Sequence, residues 1–232
     1  MQERIKLSSS SHGLGDILLL TSVCKNLIAK NQKPLVSLPQ KIKRFSILFD
    51  GLADVTIEDS SEFTKDIGHG HYATRKLRNF FQEADNLDNR PLVLHSDENS
   101  EKWVTEYLSD KKMPIIFVPH CAKNWHEIRS LNEKIIQDLF VKFLNSGYTP
   151  IICESSNNKV NLNYENILTD LDLSKYICLL RRVGYYFGCN TGDMHLAASV
   201  GAICTVFQPS SNAFFNETEW NYKHPSISYY NI

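Results

Sequence analysis

The stretch Gly188-Cys189-Asn190-Thr191-Gly192-Asp193-Met194-His195-Leu196-Ala197-Ala198 decides how this chain reads. The residues leading into it, Tyr185 to Gly188, predict a short buried strand, and Met194 to Val200 predict a short helix whose small residues let it pack close. A strand end, a Gly-containing turn and a helix start make a βα junction. At such a junction Thr191 and the free amides of Gly192, Asp193 and Met194 suit a phosphate, while Asn190 and His195 offer neutral donors. A strand-to-helix turn with an Asn cap and a half-buried His accounts for the same residues when they are taken alone.

Outward from this turn the same grammar repeats. The spacing predicts a strand over Ile115 to Pro119, a polar loop to Ser130, a helix over Asn132 to Asn145 with Gly147 closing it, and a strand over Thr149 to Cys153. A polar stretch, Ser155 to Asn163, precedes a helix over Asp172 to Arg182, and a last strand spans Ala202 to Phe207. In the first half, strands are expected at Ile5 to Ser9, Leu35 to Leu38, Val55 to Ile57 and Pro91 to His95. Helices are expected after the turn at Gly13, over Gln40 to Phe49, over Tyr72 to Phe81 and over Glu98 to Leu108. Ser109 to Pro114 is charged, carries no apolar period and ends in Pro, so the domain boundary is placed there. The expected domains are residues 1–112 and 113–232, with a cleft between two similar halves.

Two more segments carry chemistry-bearing residues. Gly13-Leu14-Gly15-Asp16 joins the end of the first strand to an aliphatic helix, where open α/β sheets bind ligands. A dinucleotide fingerprint would need Gly at the position of Leu18, which disfavours a nucleotide-cofactor oxidoreductase. Asp16 reads either as a carboxylate facing a ligand or as a helix N-cap. Pro119-His120-Cys121-Ala122-Lys123-Asn124-Trp125-His126-Glu127 follows the first strand of the second half. Lys123 suits a diphosphate and Trp125 suits a pocket wall, or they are a solvated lysine and a core aromatic.

Composition narrows the classes. The 232 residues carry 25 Lys plus Arg against 26 Asp plus Glu, so a polyanion would have to be held by a local patch. The basic groups Lys41, Lys43, Arg44 and Arg75, Lys76, Arg78 are such patches, or else solvated helix faces. No apolar run reaches membrane-spanning length, the start lacks a signal-peptide pattern, and six cysteines without a C-x-x-C pair read as reduced, pointing to a cytoplasmic protein.

The three segments, in this order, resemble glycosyltransferase family 9, the family of the lipopolysaccharide heptosyltransferases. The opening strand followed by Gly13-Leu14-Gly15-Asp16 and an aliphatic helix with Thr21, the Lys123-x-Trp125 segment, and the Thr191-Gly192-Asp193-Met194-His195-Leu196-Ala197-Ala198 run followed by Phe207-Gln208-Pro209-Ser210 are similar to its motifs. The last is the specific one. The resemblance implies a compact α/β protein of GT-B type, two Rossmann-like domains with parallel sheets facing a central cleft. It implies metal-independent inversion from a nucleotide-diphosphate sugar, with no cofactor besides that donor. Asp16 matches the general base and Lys123 the cation facing the diphosphate. Gly13, Gly15, Trp125, Asn190, Thr191, Gly192, Asp193, Met194 and His195 match the donor side, and Lys41, Arg44, Arg75 and Arg78 are acceptor-side candidates. Asn190 stands where the family usually has Asp, and Asp193 where it has Pro or a small residue.

The partners so implied are a nucleotide-sugar donor and a glycan or lipid-linked sugar acceptor. A non-catalytic nucleotide-sugar-binding module, and a small transferase acting on a nucleic-acid base, are the alternatives.

Overall fold

The computed structural model describes residues 4–8, 13–58, 97–121, 129–208 and 226–232. By contacts the chain divides into two compact units, Met1–His95 and Ser96–Ile232.

In the first unit β1 (Arg4–Leu7), β2 (Lys33–Leu38) and β3 (Asp54–Ile57) form a parallel sheet in the order β1-β2-β3, with Leu7 opposite Val36 and Leu38 opposite Ile57. Helix α1 (Leu14–Ala29) connects β1 to β2 and buries Ile17, Leu20, Val23, Cys24 and Leu27, the spacing of one helical face. The expected helix at 40–49 is instead a 3-10 segment with a kink at Ile42. Of its buried residues, Ile42, Phe45 and Leu48 recur every three positions, the repeat at which side chains eclipse in a 3-10 turn, and Phe49 is buried beside them.

The second unit holds a six-stranded sheet, entirely parallel, in the order β6-β5-β4-β7-β8-β9. Its elements are α2 (Glu98–Leu108), β4 (Pro114–Val118), α3 (Glu133–Asn145), β5 (Thr149–Glu154), β6 (Ile167–Thr169), α4 (Leu173–Val183), β7 (Tyr185–Gly188), α5 (Gly192–Ser199), β8 (Ile203–Gln208) and β9 (Ile227–Asn231). The chain builds outward from β4 through β5 to β6, then returns to the other side of β4 with β7. The ends of β4 and β7 therefore flank the point where strand order reverses.

Helix boundaries follow local chemistry. Asp97, Asn132 and Asp172 cap α2, α3 and α4 through their side chains, and Gly184 at φ 73 closes α4 in the left-handed conformation that glycine adopts without cost. One face of the sheet buries Ile115, Phe117 and Ile152 against Ile136 and Phe143 of α3. Phe143 meets Phe117 and Phe187 edge-on, at 5.4 and 5.0 Å between ring centroids.

Helix α2 packs on α4, where Arg181 pairs with Glu101 and the Lys175 ammonium lies 5.4 Å from the centre of the Trp103 ring. That docking places α2 with the second unit, so the division by contacts precedes the charged segment at which the sequence reading put the boundary. The expected helix at 72–81 and strand at 91–95 lie outside the described residues.

Candidate functional site

The turn after β7 is held from three directions. Val118 and Gly188 are register partners, and the Cys189 amide donates to the Val118 carbonyl at 3.0 Å, extending the β4–β7 pairing one residue past the strand. The buried Tyr186 hydroxyl donates to the Cys189 carbonyl at 3.1 Å. Gly188 is required by this packing, because a Cβ there would lie 2.3 Å from the Val118 carbonyl oxygen and 2.9 Å from the Tyr186 hydroxyl.

Thr191 is the N-cap of α5, in extended conformation, and its hydroxyl accepts from the Asp193 amide at 3.1 Å. Of the donors that every helix start leaves unsatisfied, this uses one; the amides of Gly192 and Met194 have no intrahelical acceptor. Asn190 and Thr191 are buried, and Gly192, Asp193 and His195 are partly exposed. Met194 faces inward, with its sulfur 3.7 Å from the Tyr229 hydroxyl of β9, and the whole residue is buried. His195 continues the first turn, and its carbonyl accepts from Ser199.

Asp193, the residue that departs most from the expected pattern, is turned into the protein. The Thr191 hydroxyl donates to its carboxylate at 2.9 Å, and burial pushes its pKa above the ordinary carboxylate range, against the lowering effects of Thr191, Tyr176 and the backbone. Its charge is felt by Tyr176, Tyr186, Cys153 and Cys189, four buried groups on α4, β7, β5 and the β7 turn. The Tyr176 hydroxyl lies near enough to act on Asp193 but makes no hydrogen bond of ordinary geometry.

The loop after β4 reaches the same end of the sheet. Its base is pinned by Asn158, which donates to the Cys121 carbonyl at 2.6 Å and whose own carbonyl lies 3.4 Å from His120 Nδ1. Ser130 closes the other side, its hydroxyl accepting from the Cys121 amide at 3.0 Å. Asn158 was not singled out by sequence: it lies in the polar stretch after β5, and its contacts bridge 37 and 38 residues. That stretch is ordered by Glu154, whose two carboxylate oxygens accept from the Val160 amide and the Thr169 hydroxyl.

Lys123 and Trp125, which follow Cys121 in this loop, lie outside the described residues, and so do Arg75 and Arg78 of the first half. In the first unit the helix begins at Leu14 with Gly13, at φ −73, as its N-cap. Asp16 therefore stands in the first turn of α1 and is not the N-cap. Gly15 stands in the same turn. Thr21 bonds back to the Leu18 carbonyl at 2.6 Å, a local helix contact. Lys41 and Arg44 are exposed on the 3-10 segment, Arg44 lying 5.0 Å from the centre of the Phe45 ring. Among the described residues no cluster of His, Cys, Asp and Glu is arranged to hold a metal ion, and no helix is long and apolar enough to cross a membrane.

No protein-family model matches the sequence, and no curated protein matches it at a significant level. Solved structures do match. A family 9 glycosyl transferase from Veillonella parvula aligns with a TM-score of 0.71 at 13% identity, over 99% of this chain and 86% of that one. The ADP-heptose lipopolysaccharide heptosyltransferase II of E. coli aligns at 0.67 and 12% identity, over 98% and 90% of the two chains. This chain has the fold of the family 9 glycosyltransferases. The E. coli heptosyltransferase WaaC, in a structure with ADP, matches at 0.63 and 10% identity over 99% of this chain and 93% of that one. The expected α/β class with parallel sheets, of GT-B type, is the class found, in a chain somewhat shorter than these glycosyltransferases. At 10–13% identity the likeness is one of fold.

Proposed function

We propose that this chain is a glycosyltransferase of the heptosyltransferase kind. It moves a sugar from a nucleotide-diphosphate sugar to an acceptor hydroxyl by inversion, without a metal and without a cofactor beyond the donor. The observation that carries this reading is the α5 N-terminus at the β4–β7 switch point, with the amide of the partly exposed Gly192 left over by the Thr191 cap.

A diphosphate leaving group gains negative charge as its bond to the sugar breaks, and donors already fixed in place stabilise that charge without reorganising. The inward turn of Asp193 supports the reading, because its carboxylate is engaged by Thr191 rather than directed at the phosphates. Lys123, on the loop whose base Asn158 and Ser130 hold, would add a compact cation, and Trp125 a pocket wall. Asp16, in the first turn after β1, would take the proton from the acceptor hydroxyl as it attacks. The acceptor would be a glycan or lipid-linked sugar, met by Lys41, Arg44, Arg75 and Arg78 of the first half, and the work would be done in the cytoplasm.

WaaC is described with ADP and with ADP-2-deoxy-2-fluoro heptose, which makes adenine nucleotides the first donors to try. A thermal-shift screen of nucleoside diphosphates and their sugars tests the proposal. Stabilisation by one base, greater for the diphosphate than for the nucleoside, is expected; the absence of any shift across the panel would sink it.

A further inference from the structure

Asn158 stands where two loops meet at the end of the second sheet at which parallel strands bind ligands. Its own loop runs from the end of β5 to β6, and the loop it touches leaves β4, the neighbouring strand. In the run Ser156-Asn157-Asn158-Lys159, Asn158 alone is half-buried, and its three companions are exposed. Its side-chain amide donates to the Cys121 carbonyl at 2.6 Å, and its backbone carbonyl lies 3.4 Å from His120 Nδ1. A carbonyl only accepts, so that ring nitrogen is the donor. Two consecutive residues of the β4 loop are thus held by one residue, 37 and 38 positions further along the chain.

Asn158 is itself fixed. Its amide donates to the Ser155 carbonyl at 3.0 Å, closing a turn across which residues 155 and 158 bridge. The Ser156 amide donates to the Asp170 carboxylate at 3.1 Å, and this bond holds that carboxyl below its usual range. Past the turn, the Val160 amide donates to Glu154 at 2.8 Å, and the Val160 side chain enters the core with Ile115, Phe117 and Ile152. The turn is therefore fastened to the ends of β5 and β6 on both sides of Asn158. Cys121 in turn is gripped through both of its backbone groups, the carbonyl by Asn158 and the amide by the Ser130 hydroxyl at 3.0 Å. Bonds to both groups fix the peptide planes on either side of a residue, and with them the direction the chain takes from there. Lys123 is the second residue after Cys121.

We propose that Asn158 is a positioning residue for the donor: by holding the Cys121 carbonyl it sets how the chain leaves β4, and through that the hold of Lys123 on the diphosphate. The effect on the donor rests on the function proposed above; the tie between the two loops does not.

The test compares the full parent chain with Asn158→Ala and Asn158→Asp, by hydrogen exchange of the Cys121 amide and by calorimetry with ADP and with adenosine. The second variant keeps the shape of the side chain but sets an acceptor against the Cys121 carbonyl. In both, the Cys121 amide should exchange about tenfold faster. Both should bind ADP about tenfold more weakly while losing less than about twofold for adenosine. Because Asn158 acts through Lys123, adding Asn158→Ala to Lys123→Ala should bring no further loss for ADP. Equal losses for ADP and adenosine are what a merely structural role gives, and they overturn the positioning role, as does an additive loss in the double variant. Unchanged exchange in both variants overturns the tie itself. A parent chain that binds ADP no better than adenosine contradicts the proposed donor and the positioning role with it, and the exchange result still decides the tie.

Discussion

The Thr191 hydroxyl serves Asp193 twice, accepting from its amide at 3.1 Å and donating to its carboxylate at 2.9 Å. One side chain thereby caps α5 and holds the adjacent charge inward. Thr191→Ala removes both contacts and should cost about 1 kcal/mol, the usual worth of an N-cap. Thr191→Ser keeps the hydroxyl and should restore most of that loss. Chemical denaturation of the two variants checks this; equal stabilities would show that the cap hydroxyl is not what orders the turn.

Asp193 gives a pH dependence of unusual sign for a carboxylate. Burial raises its pKa in the folded state, so the folded chain keeps the proton to higher pH than the unfolded chain does. The associated stability is fully present below the ordinary carboxylate range and is lost as pH rises through the raised value. Tyr176, Tyr186, Cys153 and Cys189 face the carboxylate, and none of them supplies a positive charge to offset it. Asp193→Asn should therefore melt higher than the parent at neutral pH and show a flatter profile between acid and neutral pH. A variant less stable at neutral pH, with the parent's slope intact, would contradict the assignment.

Gly188→Ala sets a methyl group against backbone. With the Val118 carbonyl oxygen 2.3 Å from the new Cβ, β7 has to move away from β4, the strand pair that frames the site. Forced overpacking costs about 1–3 kcal/mol, and a backbone neighbour yields less readily than a side chain. A fall in stability together with weakened nucleotide binding is expected, read from denaturation and calorimetry. Unchanged stability would mean that the pair opens without cost.

Asp16→Asn and Lys123→Ala separate the two halves of the proposed reaction. The first should lower turnover by about 10² to 10⁴ and leave donor affinity nearly intact, as for a general base. The second should weaken a nucleoside diphosphate far more than its nucleoside. Unchanged turnover in the first, or equal losses for both ligands in the second, removes the residue from its role.

What the sequence disclosed and what it hid follow burial. Tyr185 to Gly188, Ile115 to Val118 and the helices begun by Asn132 and Asp172 are legible because central parallel strands are apolar throughout and capped helices announce their starts. Strands β6 and β9 escaped notice because they are the sheet's edges: Ile167–Thr169 has no fully buried residue, and Ile227–Asn231 alternates between half-buried and exposed positions. Helix α5 starts earlier than its apolar residues suggest, since Thr191 caps it two residues ahead of Asp193. In the site, the turn from Gly188 to His195 was legible as a motif. Asn158 was not, because its contact with Cys121 is made only by folding across 37 residues.

The proposed transfer requires that the switch-point turn receive a diphosphate. Calorimetric titration of the reduced chain with ADP and with adenosine, under identical conditions, tests this most directly. If the Gly192 amide at the start of α5 and Lys123 hold the diphosphate, ADP should bind at least about tenfold more tightly than adenosine, or about 1.4 kcal/mol, with an affinity that falls as salt rises. Equal affinities for the two, or no heat with ADP and with the other nucleoside diphosphates, would contradict it.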